Sequence, residues 1–173
     1  MNPELSRVIY SQLLNGRAIN QHQKEGQDLV ENPLFNELYQ NWDSYRNLYL
    51  MIGFELHAVG NAYVVREWGT GGHYAEVASQ VQVLIDVLGR GVQILRLMPQ
   101  ALTEYRAGLD KKQLELIGSD AEIALILKAC GLQKSLSQEV DNILVARDLA
   151  LYNHHDKLVL SDSGRAFFEE LTA

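Results

Sequence analysis

Cysteine is nearly missing from these 173 residues: the single thiol, Cys130, has no partner for an internal disulfide. It follows the apolar run Ala124-Leu125-Ile126-Leu127-Lys128-Ala129, which makes it a small buried side chain on a helix rather than a nucleophile. Basic residues are also outnumbered, 15 Lys and Arg against 22 Asp and Glu, for a formal net charge of −7. That balance opposes strong unaided binding to nucleic acid, where clustered cations must neutralise phosphates. A protein partner therefore ranks above DNA.

No apolar run approaches the roughly 20 residues that a membrane-spanning helix requires. Met1-Asn2-Pro3-Glu4 lacks the basic and apolar regions of a secretion signal, so the expectation is a cytoplasmic protein with no membrane partner. His22, His57, His73, His154 and His155 fall at no spacing suited to zinc, and no cysteine pair could complete such a site. Gly69-Thr70-Gly71-Gly72 lacks the Lys-Ser/Thr ending of a phosphate loop, and Ser11, Ser44 and Ser163 stand in no nucleophile elbow. No nucleophile, base and orienter assemble. The expectation is a protein that is not an enzyme and holds neither cofactor nor metal.

What is present is the material of a folded core, with 47% hydrophobic and 21% charged residues. Leu5, Val8, Ile9 and Leu13 predict a helix from about Glu4 to Leu14, stopped by Asn15-Gly16. Arg17 to Asn20 is a brief strand, and the polar run Gln21 to Gln27 is the least structured part of this half. Asn32-Pro33 supplies an N-cap and a first-turn proline. The stripe Leu34, Leu38, Trp42, Tyr45, Tyr49, Ile52 then predicts one helix, or two broken near Asp43-Ser44. Phe54 to Val59 and Ala62 to Arg66 flank Gly60-Asn61 as a hairpin.

After the glycine cluster, Val77, Val81, Leu84, Ile85, Leu88, Val92 and Leu95 mark a long helix with Gly89 and Gly91 inside it, kept for close packing or for a kink. Asp110 and Ser119-Asp120 cap two shorter helices. Ser135 and Gln138 have capping-box spacing for a third that runs through Arg147. A second hairpin turns at Asn153-His154-His155-Asp156, and a last helix starts near Ser161. The predicted fold class is mainly α with small β-hairpins (α+β), as tandem winged-helix domains: residues 1–68, a glycine-rich linker at 69–74, and residues 75–173.

Winged-helix units often touch DNA through the last core helix and the wing. Here the candidates for DNA contact are Lys134, Arg147, His154 and Lys157, with His155 beside them. Glu139 and Asp141 on that helix oppose Arg147. Trp68 and Tyr63 are the candidates for a protein interface, because Trp and Tyr are favoured at binding hot spots. The alternative to an interaction protein is a winged-helix transcription regulator that binds DNA.

Leu13-Leu14-Asn15-Gly16-Arg17-Ala18-Ile19, the helical run Leu34 to Leu50, Gly53-Phe54-Glu55-Leu56 and Ala62-Tyr63-Val64 together resemble the N-terminal winged-helix unit of the MukE/MksE proteins, small subunits of bacterial SMC-type condensins. Asp148 to Tyr152 and Lys157 to Arg165 are similar to the wing and final helix of their C-terminal unit. The resemblance implies a homodimeric, non-enzymatic, nucleoid-associated subunit. Its implied partners are a kleisin and, through it, an SMC-type ATPase, with DNA contacted indirectly or weakly. Chromosome condensation and segregation, or plasmid exclusion, is the role implied.

Overall fold

The computed structural model describes residues 1–67 and 72–173, with the side chains of the second stretch described from residue 76. Helix α1 (Pro3–Leu14) starts where the Asn2 side chain accepts from the amides of Glu4 and Leu5, with proline in the first helical position. Strand β1 (Ile19–Asn20) follows. Next, β2 (His22–Glu25) and β3 (Asp28–Glu31) pair antiparallel. This corrects the expectation that Gln21 to Gln27 is the least structured part of this half. Gly26, at φ +63°, makes the reversal, and ladder hydrogen bonds satisfy a backbone whose side chains mostly stay in water.

The apolar stripe beyond Asn32 is two helices, α2 (Pro33–Gln40) and α3 (Trp42–Met51). They part at Asn41, two residues earlier than the Asp43-Ser44 signal, and no side chain caps α3. Strands β4 (Phe54–Ala58) and β5 (Ala62–Glu67) form the expected hairpin. β1 joins the other side of β5, so the sheet order is β1-β5-β4.

Helix α4 (Gly72–Ile94) begins inside the stretch 69–74 that was expected as a linker. The rest of that stretch up to residue 71, and Trp68 before it, lie outside the described residues. The two inner glycines allow close packing. A Cβ on Gly91 would stand 2.5 Å from Ile117, and one on Gly89 3.0 Å from Phe168. A short helix that the sequence reading missed, α5 (Gln100–Thr103), precedes α6 (Lys111–Gly118) and α7 (Ala121–Ala129), which open on the expected caps Asp110 and Asp120.

The next helix is regular only over α8 (Leu136–Glu139), and the chain continues as a π-turn, Val140–Leu144, and a 3-10 turn, Val145–Arg147. Ser135 caps it by accepting from the Gln138 amide. The reciprocal bond comes from Glu139 instead of Gln138, its carboxylate accepting from the Lys134 amide at 2.9 Å. Strands β6 (Ala150–Tyr152) and β7 (Leu158–Leu160) form the second hairpin, and α9 (Asp162–Thr172) closes the chain. Leu109 makes an antiparallel bridge to Leu158. In each half a short extended piece, followed by two helices in the first and three in the second, thus pairs with the last hairpin strand.

Two apolar clusters result. One joins Ile9, Leu13, Ile19, Leu34, Leu38, Tyr45, Tyr49, Leu56 and Tyr63. The larger one runs from Val81 to Phe168 and takes in Ala18 from the first half. The molecule is mainly helical with small antiparallel sheets.

Candidate functional site

Polar side chains that join the two halves make the densest hydrogen-bonded set. The Arg17 guanidinium donates to both carboxylate oxygens of Asp148, at 2.7 and 3.0 Å, and this pairing holds the guanidinium pKa above its ordinary value. Asp148 has a left-handed backbone, φ 57°, which turns its carbonyl inward. That carbonyl accepts from Asn20 Nδ2 (2.8 Å), Ser161 Oγ (2.6 Å) and Ser163 Oγ (3.1 Å). Asn20 completes the link by accepting from the Ser163 amide at 2.8 Å, and its own carbonyl accepts from Asn32 at 2.9 Å. The Ala18 amide donates to the Arg147 carbonyl, and the His22 amide to Asp162 at 2.8 Å.

Buried Asn20, Asn32, Ser161 and Ser163 all have partners, as buried polar groups must. Sequence reasoning passed over Asn20, Asp148 and Asp162. Each has a partner across the seam more than a hundred residues away, so no local spacing announces the link.

The residues singled out from the sequence occupy different places. Arg147 is committed, since its guanidinium donates to the Ile143 carbonyl at 3.2 Å and caps the irregular turn. Of its two acidic neighbours, Glu139 is buried as a cap and Asp141 accepts from the Tyr152 hydroxyl. Lys134 is exposed at the start of α8, whereas His154 and half-buried Lys157 sit on the β6–β7 turn.

That turn is held from inside. Asn153, fully buried, donates to the carbonyls of Tyr105 and Ala107 and accepts from the amides of His155 and Lys157. The His154 ring stands 5.6 Å from Tyr105 and 3.9 Å from His155, and the residue is half-buried. Tyr63, expected at an interface, belongs to the first core: it is 6% exposed, with its ring 4.8 Å from Phe35 and 5.2 Å from Trp42. Burial raises its hydroxyl pKa above 10.

Open surface near α3 is apolar instead. Met51 is 84% exposed, and Leu48, Leu50 and Ile52 accompany it. Leu50, Met51, Ile52, Gly53 and Phe54 line a shallow concavity with Glu67 at its rim. Among the described residues no group of three or more His, Cys, Asp or Glu is placed to hold a metal ion, and no helix is long and apolar enough to cross a membrane.

This arrangement defines a small α+β protein of two apolar cores, with a buried polar seam joining the halves and an exposed apolar patch at the end of α3. The chain belongs to the MksE condensin complex protein family, whose model matches residues 4–172. Membership makes it a condensin complex subunit, and the accessory subunits of this family are not enzymes. No curated protein matches the chain.

Proposed function

We propose that this subunit is a homodimeric, cytoplasmic and nucleoid-associated protein that binds a kleisin and so reaches an SMC-type ATPase. Its two halves act as winged-helix units in tandem, dividing near residue 68. The observation that carries this reading is the repeated order of extended piece, helices and hairpin, with one apolar cluster in each half and a buried polar seam fixing the two together. A rigid double unit loses little conformational freedom when it holds a polypeptide across both halves. The work served is chromosome condensation and segregation, or plasmid exclusion.

DNA is a weak or indirect partner in this reading. Arg147 is engaged with its own backbone, which leaves Lys134, Lys157 and the turn histidines without a basic helix to complete a groove-binding set. The same point disfavours a transcription regulator. Co-expression of the chain with the kleisin and ATPase subunits of its own complex, followed by purification on a tag carried by the chain, is the test. Retention of both partners in 0.5 M salt is expected. Recovery of the chain alone overturns the reading, and salt-labile capture of DNA without a kleisin moves it to the regulator.

A further inference from the structure

The free edge of the first sheet carries a site that the proposed partner binding does not by itself specify. In the order β1-β5-β4, strand β4 has a neighbour on one side only among the described residues. Which of its main-chain groups face outward follows from the hairpin end. Val59 and Ala62 exchange both hydrogen bonds, at 2.9 and 3.1 Å. In an antiparallel ladder such pairs alternate with pairs that exchange none. The register Ala58↔Tyr63, His57↔Val64, Leu56↔Val65, Glu55↔Arg66, Phe54↔Glu67 then makes His57 and Glu55 the bonded positions. The N–H and C=O groups of Phe54, Leu56 and Ala58 point away from β5.

The other side of the sheet supports this phase. Gln21 donates to the Asn61 carbonyl, and Ile19 pairs with Tyr63, which places the outward groups of Tyr63 toward β1. Among the described residues no main-chain hydrogen bond from another element reaches Phe54, Leu56 or Ala58.

An open edge is a template for another strand. Natural sheets guard such edges with charged side chains, proline or a bulge; β4, Phe54-Glu55-Leu56-His57-Ala58, has no lysine or proline and a single acid, Glu55. Its two polar side chains are drawn together, His57 Nε2 lying 3.2 Å from Glu55 Oε2. At the start of this edge lies the apolar concavity of Leu50, Met51, Ile52 and Phe54. Among the described residues Glu67 is the one charged residue lining it, and it is in no ion pair there.

We infer that an extended segment of the kleisin partner adds to β4 as a further strand, with an apolar side chain over Met51 and a lysine or arginine against Glu67. The hydrogen-bonding phase of the edge suits an extended backbone, the concavity suits an apolar anchor, and the Glu67 carboxylate favours a cation beside it. The inference rests on the kleisin-binding reading and adds the surface and the backbone form of the ligand.

Amide exchange resolved to single residues, on the full chain alone and with the purified kleisin subunit, tests it. The expected result is alternate protection: Phe54, Leu56 and Ala58 slow on binding, while Glu55 and His57, already bonded to β5, change little. Ala58→Pro removes one outward donor at an exposed position and leaves the β4–β5 bonds in place. It should weaken kleisin binding about three- to tenfold, the worth of one main-chain hydrogen bond, with an unchanged urea midpoint. Met51→Glu should weaken it comparably with no requirement on the backbone.

Kleisin binding without slowing at Phe54, Leu56 and Ala58 overturns this inference and leaves kleisin binding standing. Equal slowing across residues 54–58 also overturns it, since that is general rigidification. Failure of the kleisin to bind overturns both.

Discussion

In the first half the core is partly aromatic: Tyr45, Tyr49 and Tyr63 are buried among Ile9, Leu13, Ile19 and Leu38, and the Tyr63 ring lies against Phe35 and Trp42. In the second it is aliphatic, built from Leu84, Ile85, Leu88, Leu114, Ile117 and Leu144, with glycines where elements come closest. The first core thus carries buried tyrosines that the second lacks, and the halves inherit different weaknesses. Rings bring hydroxyls that need partners, as where Tyr45 donates to Glu37 at 3.0 Å. Branched aliphatic chains interlock by shape and leave no room for an added methyl group.

The largest effect expected is at Tyr49. Truncation to alanine removes a buried ring and should cost about 4 kcal/mol of unfolding free energy, measured by urea denaturation. Amide exchange should show the loss confined to residues 1–67. Equal loss in the second half would break the comparison, since the two cores would then be one cooperative unit.

Gly91→Ala is the corresponding test of the second half. Alanine ordinarily favours a helix over glycine by about 1 kcal/mol. Here its Cβ meets Ile117 at 2.5 Å, and the β-branched side chain has no free rotamer to yield. A net destabilisation of about 1–2 kcal/mol is expected from overpacking. A stabilised variant would show that α4 and α6 are not tightly apposed.

Alkali separates the halves by chemistry. Burial is the largest cause of the raised hydroxyl pKa at each of Tyr45, Tyr49 and Tyr63. A raised folded value means that the unfolded state releases its proton first. Stability from these groups is therefore complete below their unfolded pKa, near 10, and is lost as pH rises through the higher folded values. Tyr105 and Tyr152 shift in the same direction in the second half. Exchange measured between pH 9 and 11 should loosen the first half ahead of the second, and Tyr49→Phe should shrink the difference. Simultaneous loosening would contradict the aromatic account.

The smallest effect belongs to the rim of the seam. Arg17→Ala removes a bidentate but half-exposed pair and should cost about 0.5 kcal/mol. Its chemical denaturation midpoint should barely move. A loss several times larger would mean that the ion pair, and not buried Asn20, holds the halves together.

Elements with local signals were legible in the sequence. Asn32-Pro33, Asp110, Ser119-Asp120 and Ser161 marked helix starts that the structure places there, because a cap is made by residues within a turn of one another. Gly60-Asn61 marked the first hairpin in the same way. The β2–β3 hairpin was hidden because its strands carry mostly exposed polar side chains and give no apolar alternation. The π-turn at Val140–Leu144 shares the apolar spacing of an ordinary helix, so pattern alone could not separate them. Asn20 and Asp148 were invisible for a different reason: their roles exist only once the two halves have docked.

Titration of the purified chain with its kleisin in a calorimeter, repeated at 0.1 and 0.5 M salt and set beside a titration with duplex DNA, tests the central claim most directly. Saturable kleisin binding that survives the higher salt, with DNA heat that vanishes there, is the predicted result. Salt-resistant DNA binding with no kleisin heat would contradict it.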